Sequence, residues 1–385
     1  MRKLKMGMIG GGKNAFIGAV HRIAANMDGL IELHCGAFSS NPDLSLESGK
    51  ELGLPKDKCY ESYAQMIETE AKLPSEERMD FVSIVTPNHA HFAPAMLALE
   101  NGFHVVLDKP MTLTLAEAKL LEQKVKETGL YLCVTHTYSG YPMVKQARNM
   151  VAENQFGAIR KIMVEYPQGW LSTPFENEGN KQAAWRTDPS KSGISGCMGD
   201  IGTHAAHLAE YISGLKITQL CADINTVVAN RRLDDDGNVL LKFDNGANGI
   251  LVASQIAAGE ENSLKIKIYG EKGGLEWHQM EPNTLIVKWL NAPAQVYRTG
   301  NGYVSPIAAF NTRVPSGHPE GYMEAFGNLY KNFALTLQSK QEGKEPTTSM
   351  LDFPNVVDGV RGMAFIENVI SSGKSSQKWT DFLSC

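Results

Sequence analysis

The chain has 385 residues, 43% of them hydrophobic and 21% charged, with a formal net charge of -5. This is globular composition in a chain longer than one core usually organises, so two domains are expected. The mild negative charge excludes the electrostatic footprint of a nucleic-acid or anionic-membrane binder and leaves a small, mostly neutral molecule as the expected partner. Cys35, Cys59, Cys133, Cys197, Cys221 and Cys385 are scattered, without CxxC or metal-ligand spacing, and read as buried thiols in a reducing compartment. The basic start Met1–Lys5 runs into a glycine loop instead of a cleavage site, and no apolar run approaches the roughly 20 residues that span a bilayer. A cytoplasmic location is expected.

In chain order, Met6–Ile9, Ile31–Phe38, Phe81–Val85, Val105–Leu107 and Tyr131–Thr135 read as strands separated by helical patterns. One such pattern is Leu115–Glu127, where Leu120, Leu121 and Val125 fit an apolar face. The alternation predicts βαβ units on a doubly wound parallel sheet, a dinucleotide-binding Rossmann domain over residues 1–139. After about Tyr138 the rhythm changes. From Ile217 onward strands succeed one another across turns: Val239–Phe243 and Gly249–Ser254 flank Asn245–Gly246, a hairpin signal because glycine tolerates positive φ. Leu264–Tyr269 and Gly274–Trp277 flank Glu271–Gly273, and Thr284–Trp289 adds another strand. Residues 140–385 are therefore expected to form an α+β domain with a large open, mainly antiparallel sheet. The stretch Ala292–Pro319, rich in Gly, Pro, Asn and Ser, reads as loop. Helical patterns return at Glu320–Thr336 and Val356–Ile370. The acidic run Asp234–Asp236, followed by Gly237–Asn238, reads as a solvated hairpin tip in preference to a cation site.

Gly10–Gly11–Gly12 directly follows the first strand, and Gly18 opens the next helix, with Val20, Ile23 and Ala24. A pyrophosphate sits in such a place, on backbone N–H groups and the positive end of a helix. Counting from Gly10 and Gly12, the third glycine of the fingerprint is Ala15 by strict spacing and Gly18 by context. Gly18 is preferred, with Lys13–Asn14–Ala15 lengthening the loop and Asn14 a further cofactor contact. Strand two runs into Ser39 and Ser40, where NAD proteins often carry an acid for the ribose and NADP proteins a base. With no Lys or Arg from there until Lys50, NAD is favoured and NADP is the alternative.

Thr86–Pro87–Asn88–His89–Ala90–His91 lies at the carboxyl end of the third strand, the edge where open α/β sheets bind ligands. Thr86, Asn88 and His91 are cofactor-contact candidates, with Asn88 at a ribose and His91 facing the cleft. Asp108–Lys109–Pro110 follows the fourth strand. Proline fixes the backbone beside Lys109 and apolar residues come next, so the ammonium is expected to turn into the cleft. There it would polarise a substrate oxygen and stabilise a developing alkoxide. Asp200 and His204, four apart, project from one helix face. A neutral His204 imidazole can take a hydroxyl proton as C–H hydride leaves, while Asp200 orients a neighbouring hydroxyl. His207 raises a metal alternative with Asp200 and His204, but no other cluster completes a ligand set and no metal is expected. Candidates for substrate recognition are His136, Tyr138, Tyr141, Tyr166, Gln168, Trp170, Trp185, Arg186 and His318. Aromatic faces stack on sugar C–H faces, and Arg and His bond hydroxyls or an anionic substituent, so their density predicts a polyhydroxylated ligand.

Taken together, the glycine loop after strand one, Thr86–Pro87–Asn88 with His91, the lysine-proline pair, and Asp200 with His204 resemble the Gfo/Idh/MocA oxidoreductase family. The resemblance covers nearly the whole chain. It implies a Rossmann domain joined to an open antiparallel sheet domain whose sheet face mediates homodimers or homotetramers. Lys109 matches the family's catalytic lysine of the Glu-Lys-Pro motif, and Asp200 and His204 match its second acid and general base. Asp108 stands where the family usually has glutamate, and with Lys109 it is expected at the nicotinamide end of the cofactor. The implied activity is an NAD(P)-dependent dehydrogenase acting on a secondary hydroxyl of a sugar, glycoside or cyclitol such as inositol. Two alternatives stay open. One is glycoside cleavage through transient oxidation and elimination. The other is a non-catalytic nicotinamide-binding sensor, against which the joint presence of Lys109, Asp200 and His204 argues.

Overall fold

Phe81–Val85 is apolar except for Ser83 and buried at every position, the pattern of a central parallel strand covered on both faces. The computed structural model, which describes residues 2–13 and 15–383, places it in the middle of a five-stranded parallel sheet. Asn14 and Cys385 lie outside the described residues. Two compact units are present: Met1–Thr137 with Met323–Val360, and Tyr138–Tyr322 with Arg361–Cys385.

The first unit opens with β1 (Leu4–Gly10), α1 (Phe16–Asn26), β2 (Ile31–Ala37), α2 (Pro42–Glu51), α3 (Tyr63–Glu70) and β3 (Phe81–Val85). It continues with α4 (Phe92–Glu100), β4 (His104–Leu107), α5 (Leu115–Thr128) and β5 (Leu132–Val134). The strand order is β2-β1-β3-β4-β5, with every pair parallel. Strand order therefore reverses between β1 and β3, which opens a crevice at their carboxyl ends. Gly10 is in register with Val85, so the glycine loop and Thr86 leave the sheet side by side. Helix α5 starts at a Thr114–Glu117 capping box and stops at Gly129, whose φ is 68°. Of its expected apolar face, Leu121 is buried while Leu120 is half exposed.

The second unit carries α6 (Pro142–Ala152), β6 (Ile159–Pro167), α7 (Lys181–Arg186), α8 (Pro189–Ser192) and α9 (Thr203–Ser213). Seven strands come next: β7 (Ile217–Asn225), β8 (Asp236–Phe243), β9 (Asn248–Ser254), β10 (Lys265–Gly270), β11 (Gly273–His278), β12 (Thr284–Trp289) and β13 (Gln295–Arg298). The remaining elements are α10 (Pro306–Phe310), α11 (Tyr322–Gln341), α12 (Val356–Lys374) and β14 (Thr380–Asp381). Most of α11 and the start of α12 belong to the first unit. The second sheet has nine strands in the order β13-β12-β11-β10-β6-β9-β8-β7-β14, antiparallel except for the β6–β9 pair. Along β6, Ile162, Val164 and Tyr166 are buried while Met163 and Glu165 are exposed, the period-two alternation of a sheet covered on one face. Helices α6 and α9 cover that face.

Two expectations are corrected. The stretch Ala292–Pro319 contains β13, which pairs with β12, and α10, whose Pro306 occupies the first turn, where its missing N–H costs no bond. The acidic run is not a solvated tip, because Asp234 and Asp235 are buried. Asp235 accepts from the Val227 and Val228 N–H groups at 2.8 and 2.9 Å, so backbone donors replace the water it loses. Of the thiols, Cys35, Cys133 and Cys197 are buried and Cys59 and Cys221 are partly exposed. Among the described residues no helix is long and apolar enough to cross a membrane.

Candidate active site

Gly10 and Gly11 adopt φ values of 81° and 73°, a region open to glycine at little cost. A Cβ at Gly18 would stand 2.2 Å from Gly11 Cα, so α1 presses directly against the loop. At Gly12 it would meet Ser48 Oγ at 2.7 Å and Phe38 O at 2.8 Å. Arg22 of α1 donates to the Gly11 carbonyl at 2.7 Å and fixes the loop from below. Around it lies a groove of about 740 Å³ lined in part by Gly10, Gly12, Ser39, Ser40, Thr86 and His89.

His91 does not face this groove. It is fully buried, with Nε2 2.7 Å from the Thr86 carbonyl and Nδ1 2.9 Å from the Pro110 carbonyl. A neutral ring donates only one such bond at a time. Burial pushes its pKa down, against the charge of Asp108 and the two carbonyls. The 3₁₀ turn Asn88–Ala90 turns His91 inward and leaves His89 on the groove. Asn88 is buried as well.

Beyond β4, Asp108 Oδ1 accepts from the Lys109 N–H at 3.0 Å and from the Thr135 hydroxyl at 2.7 Å. The short aspartate therefore folds back on the backbone of the lysine it precedes. His21 Nε2 stands 3.8 Å from the same oxygen, beyond hydrogen-bond reach. Its Nδ1 is 2.7 Å from Tyr330 OH, which also meets Ser83 Oγ at 2.7 Å. Burial of Asp108 disfavours its charge, but His21, Thr135 and Lys109 outweigh that and hold the carboxyl below the ordinary aspartate range. His21, Ser83 and Tyr330 were not singled out by sequence, although Ser83 is a lone hydroxyl in an apolar strand. Lys109 itself is half-buried at the carboxyl edge of β4.

In the second unit a π-helical turn, Met198–Gly202, leads into α9. Asp234 anchors it, accepting from the Gly196 and Met198 N–H groups at 2.8 Å each and from Ser195 Oγ at 3.1 Å. Asp200 lies within the turn, 15% exposed. Its Oδ2 accepts from Gln255 Nε2 at 2.9 Å and lies 3.3 Å from Arg186 Nε. The Arg186 guanidinium sits 4.3 Å from the Trp185 ring centre and 5.9 Å from that of Trp170, within cation–π range. It also donates to Gln182 Oε1 at 2.7 Å.

His204, on the first turn of α9, is 7% exposed. Tyr138 meets its ring edge-on at 4.9 Å and Tyr166 lies at 6.4 Å. The two phenol hydroxyls bond each other. Tyr166 also donates to Asn262 Oδ1 at 2.6 Å, and Asn262 Nδ2 donates to Tyr138 OH at 3.1 Å. Gln168 donates to Asn262 at 2.7 Å and receives the Trp170 indole N–H at 3.0 Å. Four of the expected substrate residues thus form one chain, linked through Asn262. Burial raises both phenol pKa values, with the Asp200 charge adding to the effect, so the hydroxyls stay neutral donors and acceptors. Tyr138 and Tyr166 are buried and wall His204. His136 is buried at the end of the first unit, while His318 is exposed and donates to the Pro315 carbonyl of its own loop at 3.2 Å.

Residues 4–136 match a family model described as an oxidoreductase family with an NAD-binding Rossmann fold, and residues 144–276 match the GFO/IDH/MocA C-terminal domain. An uncharacterised oxidoreductase of Bacillus subtilis, YfiI, is 33% identical over 387 residues, covering 99% of this chain and 97% of its own. The chain belongs to the Gfo/Idh/MocA oxidoreductase family. An inositol dehydrogenase homologue from Azotobacter vinelandii in complex with NAD+ is similar to this Gfo/Idh/MocA chain at 34% identity and a TM-score of 0.94, over 99% of this chain and 98% of its own. Its complex with NADH and myo-inositol superimposes with a TM-score of 0.91. A levoglucosan dehydrogenase from Pseudarthrobacter phenanthrenivorans is 25% identical over 99% of this chain and 98% of its own. This family member is an NAD-binding oxidoreductase, and its first unit fits the cofactor: the glycine loop has no room for a Cβ where a pyrophosphate would approach.

Proposed function

We propose that this enzyme moves hydride between NAD and a secondary hydroxyl of a sugar, glycoside or cyclitol, with Lys109, Asp200 and His204 as its reacting set. The observation that carries this reading is the pairing of His204 and Asp200 one turn apart, the first walled by Tyr138 and Tyr166 and the second held by Gln255 and Arg186. Gly10, Gly12, Gly18, Ser39, Ser40 and Thr86 would hold the cofactor, which supplies the acceptor for a hydride when bound. His204 takes the hydroxyl proton on a ring nitrogen. Asp200 accepts a hydrogen bond from a neighbouring hydroxyl and so fixes which one reacts. Lys109 sets its ammonium against the reacting oxygen and stabilises the negative charge that develops there. Because the Arg186 charge is balanced by Asp200, a neutral polyol fits better than a phosphorylated sugar. The myo-inositol held by the Azotobacter homologue and the name of the levoglucosan dehydrogenase support the same class.

The test is NADH formation with a panel of inositols, aldoses and anhydrosugars. On the best substrate, Lys109→Ala and His204→Ala should each lower kcat by about a thousandfold while NADH binding persists. Normal turnover by either variant overturns the assigned roles. Net NADH release distinguishes dehydrogenation from a redox-neutral cleavage of glycosides. We extend the proposal to assembly as a homodimer or homotetramer through the face of the nine-stranded sheet opposite α6 and α9.

A further inference from the structure

We propose that Glu47 and Glu51 of α2 set the preference for NAD over NADP by holding Lys13 away from the adenosine ribose. The inference rests on NAD binding and is independent of the substrate proposed above. In this fold the ribose 2′ position falls at the end of β2. Here that end is Phe38–Ser39–Ser40, and the Gly12 N–H donates to the Phe38 carbonyl at 3.2 Å, so Lys13 emerges where the glycine loop touches it. Among the described residues lining the groove, Lys13 is the only lysine or arginine.

That single base is engaged elsewhere. Its Nζ is 2.9 Å from Glu47 Oε1 and 2.8 Å from Glu51 Oε1, and its backbone N–H donates to Ser48 Oγ at 3.1 Å. Neither glutamate lines the groove. Glu51 and Ser48 line an adjoining hollow of about 470 Å³ that Lys13 shares, so the ammonium is drawn toward α2 and away from Ser39 and Ser40. A 2′-phosphate that captured Lys13 would leave two like charges one turn apart on α2, a repulsive arrangement, and would add its own negative charge beside them. A ribose hydroxyl makes no such demand and meets serine hydroxyls. NADP is thus disfavoured because the available base is held, even though one is present. Lys13 is 42% exposed and both glutamates about half exposed, so the pairs contribute little to folding and can be removed in the folded enzyme.

Direct fluorescence titration of NADH and NADPH tests this without turnover. In Glu47→Gln/Glu51→Gln the affinity for NADPH should rise about tenfold at low salt while that for NADH stays within about twofold, and the gain should fade as ionic strength rises. Adding Lys13→Ala to the double variant should abolish the gain. An unchanged NADPH affinity overturns the proposal, as does a gain that survives removal of Lys13, or a wild-type enzyme that already binds both cofactors equally.

Discussion

Glu70, on α3, is fully buried, and it shows how a single residue here is held by partners from several separate segments. Burial alone would raise its pKa. Contacts with His34 at 3.5 Å, Lys58 at 2.8 Å, the Met79 N–H at 2.8 Å and the Tyr60 hydroxyl at 2.9 Å bring it instead from 4.5 down to about 2. A carboxyl whose pKa is depressed in the folded state stabilises above its unfolded pKa and loses that contribution as pH falls through the folded one. Glu70→Gln should therefore cost about 2–3 kcal/mol at pH 7. In urea unfolding monitored from pH 7 to pH 3, the gap between wild type and variant should narrow once pH drops below about 4.5. A gap independent of pH would mean that Glu70 acts through shape alone. The residues proposed above to react are easier to read than such a network. Lys109 and the Asp200–His204 pair are reactive types at the ends or turns of recognisable elements, whereas the contacts of Glu70, or of Asp108 with Thr135 and His21, depend on which strand ends the sheet brings together.

At the scale of elements, the π-helical turn before α9 carries Asp200 and is tied down by Asp234. Burial pushes the Asp234 carboxyl up, and its three donors offset part of the lost hydration. Asp234→Ala would leave the Gly196 and Met198 N–H groups unpaired, so a loss of about 2–4 kcal/mol is expected in thermal or denaturant unfolding. Below the melting temperature kcat should also fall, with a smaller change in NADH affinity, since the turn lies in the second unit. A fully stable, fully active variant would show that the turn holds itself. Charged residues rarely bury, which is why an aspartate run reads as a solvated tip, and neither its neighbours at Gly196 nor those at Val227 are visible locally. Likewise, glycine and proline density hid β13 and α10, because an edge strand and a short proline-started helix tolerate the residues that mark loops.

At the scale of the whole molecule, the face of the nine-stranded sheet opposite α6 and α9 carries an apolar row among the described residues. Cys221, Leu240, Ile250 and Met163 stand in register across β7, β8, β9 and β6, with Leu240 43% and Met163 40% exposed. Apolar surface of this kind is where the assembly proposed above would form, with a second copy of the chain as its occupant. Leu240→Glu and Met163→Glu should each shift the assembly toward monomer in light-scattering measurements, with unfolding of the monomer unchanged. A wild-type protein that is monomeric at micromolar concentration would refute the proposal.

Periodicity and turn chemistry, which act over a few residues, were enough to determine from the sequence the alternating strands and helices and the Rossmann character of the first third, and the mainly antiparallel character of the second sheet, but not β6, β13 or α10. Tertiary structure alone decided that His91 is a buried brace and His89 lines the groove, that Tyr138 and Tyr166 bond each other beside His204, and that Lys13 is claimed by two glutamates of α2. These outcomes depend on which polar groups remain without water and which donor stands nearest, and residues far apart in sequence become neighbours only once the sheets have formed.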